Sequence, residues 1–243
     1  MKELAGRVAV VTGGSGGIGR AIMDALANAG ATVVNLDIAR PGSLQPPAPG
    51  SPASFLECDV RDEGSVVRAI AQVLETHERI DIAVHAAGIS RDGVAWKLPV
   101  EEWDLVHEVN LRGAFLLIRH VIPAMRRNGS GRIVLIGSIN GSRGKFGASA
   151  YAASKAGLTG LAKSVSRETG RLGILVNVIE PGWVRTPLTD AYPETVRQKA
   201  LDETLVGELV DADDVAASVL FLCGPGSRRM TGQILRVDAG QYL

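Results

Sequence analysis

The chain is poor in cysteine, has no excess of charge of either sign and contains no long apolar run. Its two cysteines, Cys58 and Cys223, lie far apart with no C-x-x-C pair or histidine-rich neighbour, a pattern of reduced buried thiols rather than a disulfide. No metal site is expected. Lys+Arg and Asp+Glu number 26 each, which removes the broad positive field of a protein that lives on nucleic acid or an anionic membrane. No run of about 18 consecutive apolar residues is present, so no membrane-spanning helix is expected. The opening Met1–Arg7, followed by a short apolar stretch to Val11, has neither a signal h-region nor a transit peptide. These absences together predict a soluble, cytoplasmic protein.

What is present is an ordinary folding composition, 46% hydrophobic and 21% charged. A length of 243 residues suits one α/β domain spanning 1–243. Short β-branched runs alternate with longer segments of helical period, the pattern of βαβ units in a parallel sheet. Seven strands are predicted, near Arg7–Thr12, Thr32–Asp37, Ser54–Asp59, Ile80–His85, Gly131–Ser138, Ile174–Ile179 and Ile234–Val237. Near-continuous apolar stretches such as Val8-Ala9-Val10-Val11 predict strands covered on both faces. The cover falls to helices over Gly17–Ala29, Asp62–Glu78, Val100–Asn128, Ala148–Arg171 and Ala212–Leu222, the last with Asp211 as N-cap. The proline-rich Arg40–Ala53 reads as a loop. Helical-looking pieces in Pro187–Gly207, after the turn at Pro181-Gly182, read as a substrate lid.

Thr12-Gly13-Gly14-Ser15-Gly16-Gly17-Ile18-Gly19 follows a strand and opens a helix, the context in which a glycine-rich turn binds phosphate. Residues without side chains let the backbone approach a pyrophosphate, whose charge the helix N-terminus stabilises. Gly13, Ser15, Gly16, Gly17, Ile18 and Gly19 are the candidates. Both Gly14-x-Gly16-x-x-Gly19 and Gly13-x-x-x-Gly17-x-Gly19 fit the spacing. Asp37 ends the second strand about 20 residues on, where a carboxylate can hold both ribose hydroxyls of an adenosine and repel a 2′-phosphate. With no arginine inside the loop and Arg40 the only nearby cation placed to favour NADP, NAD is expected over NADP. Asp59 and Val60, at the end of the third strand, are placed at the adenine edge, with helix capping as the alternative for Asp59.

Tyr151 and Lys155 share one helix face through their i,i+4 spacing. A tyrosine of ordinary pKa, about 10, needs a nearby cation to serve as acid and base near neutrality. Lys155 is that cation, and it is also placed to hydrogen-bond the nicotinamide ribose. Ser138, leaving the fifth strand at its C-terminal end, can hold a substrate oxygen beside the phenol. Asn110 lies within a long helical stretch, where a break near Val109–Asn110 would let it hold a water that relays protons from Lys155.

On these residues the chain resembles the short-chain dehydrogenase/reductase family over essentially its whole length. The Thr12–Gly19 loop, the His85-Ala86-Ala87-Gly88 turn, Asn110, Ser138, Tyr151, Lys155 and Pro181-Gly182-Trp183-Val184-Arg185-Thr186 carry the resemblance in order and spacing. It implies a single-domain Rossmann-type doubly wound parallel sheet and an Asn110–Ser138–Tyr151–Lys155 tetrad. It also implies the register Gly13, Gly17, Gly19, with Ala87, Gly88, Pro181, Gly182, Val184 and Thr186 at the cofactor, and a homotetramer. Ser90-Arg91-Asp92-Gly93, Tyr151–Gly157 and Thr231-Gly232-Gln233 are most similar to the 3-oxoacyl-thioester reductase branch. His85 and Ala86 stand where an Asn pair is usual, and Glu180 replaces a small residue. Expected partners are a small alcohol or ketone, or an acyl thioester. The alternatives are a cyclic, steroidal, aromatic or sugar alcohol as substrate, or an NAD-sensing protein without turnover. Gly141–Ala148, Ala191–Gly207, Trp96, Trp183 and Tyr192 are expected to shape the pocket.

Overall fold

The computed structural model describes residues 2–38, 53–186, 189 and 192–243. Seven parallel strands form the central sheet: β1 (Val8–Thr12), β2 (Thr32–Asp37), β3 (Ala53–Glu57), β4 (Ile82–His85), β5 (Gly131–Ile136), β6 (Ile174–Pro181) and β9 (Ile234–Val237). Their order is β3-β2-β1-β4-β5-β6-β9, with Val10 beside both Val34 and Ala83. The chain reverses its direction of travel between β1 and β4. In open parallel sheets that switch point leaves a crevice at the C-terminal strand ends. A separate two-stranded ribbon, β7 (Val184–Arg185) with β8 (Val210–Asp211), was not visible in the sequence pattern.

Alternation along each strand divides the core into two layers. Val8, Val10, Val34, Leu36, Ile133 and Leu135 face α2 (Glu63–His77), α4 (Gly113–Asn128) and α6 (Ser149–Thr169). Ala9, Val11, Val33, Val84, Val134 and Ile136 face α1 (Gly17–Asn28) and α8 (Ala212–Cys223). Helices on both faces therefore explain why β1 is buried at every position. Cys58 and Cys223 are free and buried.

Several boundaries differ from the expected ones. The third strand stops at Glu57, and Asp59 pairs with Arg61 at 2.7 Å instead of capping α2. That cap is Asp62, which accepts from the backbone N–H groups of Gly64 and Ser65, each at 3.0 Å. The fifth strand stops at Ile136, and Ser138 begins a short helix, α5 (Ile139–Arg143). The long helical stretch divides into α3 (Val100–His107), a π turn over Glu108–Arg112 and α4, so the break falls around Asn110. Asp211 forms the expected cap of α8, its N–H donating to Asp214 at 2.8 Å. The stretch 40–52 lies outside the described residues, as do positions 187, 188, 190 and 191 of the expected lid. The described remainder of that segment contains α7 (Glu194–Asp202). Among the described residues no helix is long and apolar enough to cross a membrane.

Candidate active site

A cleft of about 300 Å³ opens at the C-terminal ends of β1, β4, β5 and β6. One wall is the glycine loop. Gly13 has φ +69, the only loop glycine in the left-handed region, and a Cβ there would lie 2.6 Å from the Ala87 Cα. A Cβ on Gly19 would collide with the Gly13 carbonyl, so both glycines are required by backbone approach. At Gly16 the nearest atom would be 3.4 Å away, which leaves that position open to the cleft. Gly16 also stands at the N-cap of α1 with no capping side chain, and the first turn has no acidic residue. An uncapped helix start of this kind fits a pyrophosphate, so the loop suits the dinucleotide that its sequence implies.

Asp37 stands beside this wall. Its carboxylate accepts from the Ser15 N–H at 3.0 Å and from the Ile38 N–H at 2.8 Å, while Asn35 donates to Ser15 Oγ at 3.0 Å. Gly13, Gly16, Gly17, Ile18 and Gly19 line the cleft; Ser15 is turned toward β2. Val60 is 6% exposed, its side chain turned inward against Gly113, and Asp59 is engaged by Arg61. Neither residue is among those that line the cleft. Ala87 packs its backbone under Gly13 while Gly88 lines the cleft, as do Pro181, Gly182, Val184 and Thr186.

The opposite wall gathers the chemistry. Ser138 starts α5, its Oγ accepting from the Asn140 N–H at 3.2 Å, and it is near enough to the Tyr151 phenol to exert a lowering influence on its pKa. Burial pushes that phenol above the ordinary tyrosine pKa and outweighs the lowering by Ser138; Tyr192 and Asp92 push it further up. Lys155, one turn along α6, is buried and donates from Nζ to the Ile136 carbonyl at 2.7 Å. Desolvation brings its pKa down to about 8. The expected lowering of the phenol by Lys155 is absent from this arrangement, for a reason of geometry. The ammonium lies 5.7 Å from the Tyr151 ring centre and is turned to the β5 carbonyl.

Asn110 does not line the cleft but lies fully buried behind it. Its Oδ1 accepts from the Ile89 N–H at 2.8 Å, and its Nδ2 donates to the Ile89 carbonyl at 3.0 Å and to Ser154 Oγ at 2.9 Å. It reaches the chemistry past Gly88, where a Cβ would lie 3.2 Å from Lys155 Nζ and 3.4 Å from Asn110 Oδ1.

The mouth brings together Lys145, Trp183 and Tyr192, expected at the pocket, with Asp92 and Gln241, which had no expected role there. Lys145 lies 5.9 Å from the ring centres of both Trp183 and Tyr192, which meet edge to face at 5.4 Å. Tyr192 OH reaches Asp92 at 3.5 Å. Gln241, close to the end of the chain, accepts from the Trp183 N–H at 2.6 Å and donates to the Ala200 carbonyl at 3.0 Å. Glu180, noted for its unusual place, is 1% exposed and accepts from Ser142 Oγ at 2.8 Å, tying β6 to α5. Such long-range pairings leave no local pattern to find. Trp96, expected at the pocket, is 80% exposed and does not line the cleft.

A parallel sheet with its crevice at the switch point, a glycine cradle and a Ser–Tyr–Lys wall describe a nicotinamide-dependent oxidoreductase. A family model described as enoyl-(acyl carrier protein) reductase matches residues 13–241, and the chain belongs to the short-chain dehydrogenase/reductase family. It is an NAD(P)-dependent oxidoreductase. The chain is 36% identical to 3-oxoacyl-(acyl-carrier-protein) reductase FabG of Thermotoga maritima over 99% of its own length and 100% of that protein. It is also 36% identical to (3R)-3-hydroxyacyl-CoA dehydrogenase of Canis lupus familiaris, over 99% of this chain and 98% of that one. A short-chain type dehydrogenase/reductase from Mycobacterium ulcerans superposes with a TM-score of 0.93 at 29% identity, covering 98% of this chain and 90% of that one.

Proposed function

We propose that this enzyme interconverts a 3-hydroxyacyl thioester and a 3-oxoacyl thioester with NAD(H), using Tyr151 as the acid/base. The observation that carries this reading is that the hydroxyls of Ser138 and Tyr151 line one cleft together with Lys155 and the glycine cradle. The bound dinucleotide supplies the hydride donor or acceptor. Ser138 holds the substrate oxygen, and Tyr151 gives it a proton in reduction or takes one in oxidation. A phenol raised by burial is protonated at neutral pH and so is set for the acid role. Lys155 and Asn110, which meet beside Gly88, extend the proton path away from Tyr151.

Preference for NAD rests on Asp37, whose negative charge beside the loop would repel a 2′-phosphate. Arg20, the first cation after the loop, is paired with Asp24 at 2.9 Å. The protein works as a cytoplasmic homotetramer, with 187–207, which contains α7, as substrate lid. The aromatic pair Trp183–Tyr192 supports a second reading, a cyclic, steroidal or aromatic secondary alcohol as substrate.

Initial rates with acetoacetyl-CoA and either reduced cofactor test the proposal. We expect kcat/KM to favour NADH by about tenfold or more, the scale of one lost charge-assisted contact. An NADPH preference overturns the cofactor assignment. Turnover confined to cyclic or aromatic alcohols transfers the case to the second reading, and tight NAD binding without any turnover across both panels leaves a sensing protein.

A further inference from the structure

His85 is a fully buried imidazole at the end of β4 that the mechanism above does not use. Its Nδ1 lies 2.9 Å from Thr12 Oγ1. Thr12 is itself buried, and its oxygen already accepts from the Ala87 N–H at 3.4 Å. A Thr12 hydroxyl that donates to Nδ1 leaves that nitrogen unprotonated. The ring proton then sits on Nε2.

Nε2 makes no well-formed hydrogen bond, yet it is completely buried. The backbone of Asn110 and Val109, in the π turn, lies near enough to the ring to exert a raising influence on its pKa. The ring's Cε1 would lie only 3.3 Å from a Cβ on Gly113, so the imidazole is packed directly under that turn. The turn is widened at this point, the Gly113 N–H donating to the Glu108 carbonyl five residues back. Such widening displaces carbonyls from their usual helical partners. A buried N–H without an acceptor is costly, which favours its approach to the carbonyls of the turn packed on the ring. Burial, reinforced by the nearby charge of Lys155, holds the imidazole pKa down to about 3, so the ring stays neutral.

We propose that His85 is a positioning residue for the π turn: fixed by Thr12 as the Nε2–H tautomer, it directs its one donor to the Val109 and Asn110 carbonyls. The clamp ties the end of β1 to the segment that carries Asn110, and through Asn110 to Ile89 and Ser154. Its effect on turnover rests on the proposed function; its geometry does not.

Imidazole ¹⁵N–¹H correlation spectra of the full-length protein test the tautomer without any variant. We expect a neutral Nε2–H ring, unchanged from about pH 8 to about pH 5. An Nδ1–H ring, or titration between those limits, overturns the clamp. In His85→Phe, which keeps an aromatic ring but removes both nitrogens, amide exchange across Leu111–Gly113 should accelerate about tenfold, with β1 unchanged. Unchanged exchange in the π turn also overturns the clamp. The same variant should lose about tenfold in kcat with the Kd for NADH within about twofold. Lost NADH affinity with full kcat would make His85 a purely structural support of the cofactor wall. A wild-type protein without turnover would overturn the proposed function, while the tautomer and exchange still decide the clamp.

Discussion

The two walls of the cleft are built from different materials. On the cofactor side, backbone meets backbone: Gly13 lies so close to Ala87, and Gly19 to Gly13, that no other residue type fits without displacement. On the substrate side, Lys145, Trp183, Tyr192 and Asp92 meet through side-chain tips, and Lys145, Tyr192 and Asp92 are exposed. Close backbone approach dictates sequence. Contacts between exposed tips do not, so the first wall is common to many substrates and the second is where specificity is free to change.

Between the walls stands Lys155, and removing it should give the largest effect. Lys155→Met should lower kcat by about 10²–10⁴, the usual range for proton-transfer groups. Its folded pKa of about 8 lies below the ordinary value of 10.5, so folding opposes its charge, and the protein binds fewer protons folded than unfolded between those values. Stability carried by wild type is therefore lowest below pH 8 and recovers as pH rises toward 10.5. The variant should consequently melt higher than wild type at pH 7, by up to about 3 kcal/mol less the lost bond to Ile136, and the advantage should shrink with rising pH. A variant less stable at pH 7 would contradict this.

Gly19→Ala attacks the backbone wall alone. It should weaken NADH binding about 10–100-fold, as forced overpacking costs about 1–3 kcal/mol, and calorimetric titration measures it. Asp37→Asn should reduce the NADH preference by about tenfold by removing the repulsion of a 2′-phosphate, read as the ratio of kcat/KM values. Lys145→Ala, on the side-chain wall, should change substrate KM by only about two- to fivefold and leave the Kd for NADH unchanged. If Lys145→Ala weakened the cofactor as strongly as Gly19→Ala, the division between the walls would fail.

The same division explains what could be read in advance. Thr32–Asp37 and Ile234–Val237 were predicted with their observed limits, because β-branched and leucine side chains cluster in both. Tyr151 and Lys155 share a helix face because i and i+4 must. The ribbon of β7 and β8 was invisible, since two-residue strands have no period to detect. The direction of the Tyr151 shift was also misjudged. Spacing placed a lysine one turn away, but its ammonium is engaged by a carbonyl of another strand. The third strand, read to Asp59, ends two residues earlier at Glu57.

The central claim is that proton transfer at Tyr151, rather than cofactor capture, limits what this cleft can do without its phenol. Comparing Tyr151→Phe with wild type, by NADH absorbance during acetoacetyl-CoA reduction and by NADH titration of the same samples, tests it most directly. The account predicts a fall in kcat of about 10²–10⁴ with the NADH Kd within about twofold. Turnover at the wild-type rate, or loss of activity that follows lost NADH binding, would contradict it.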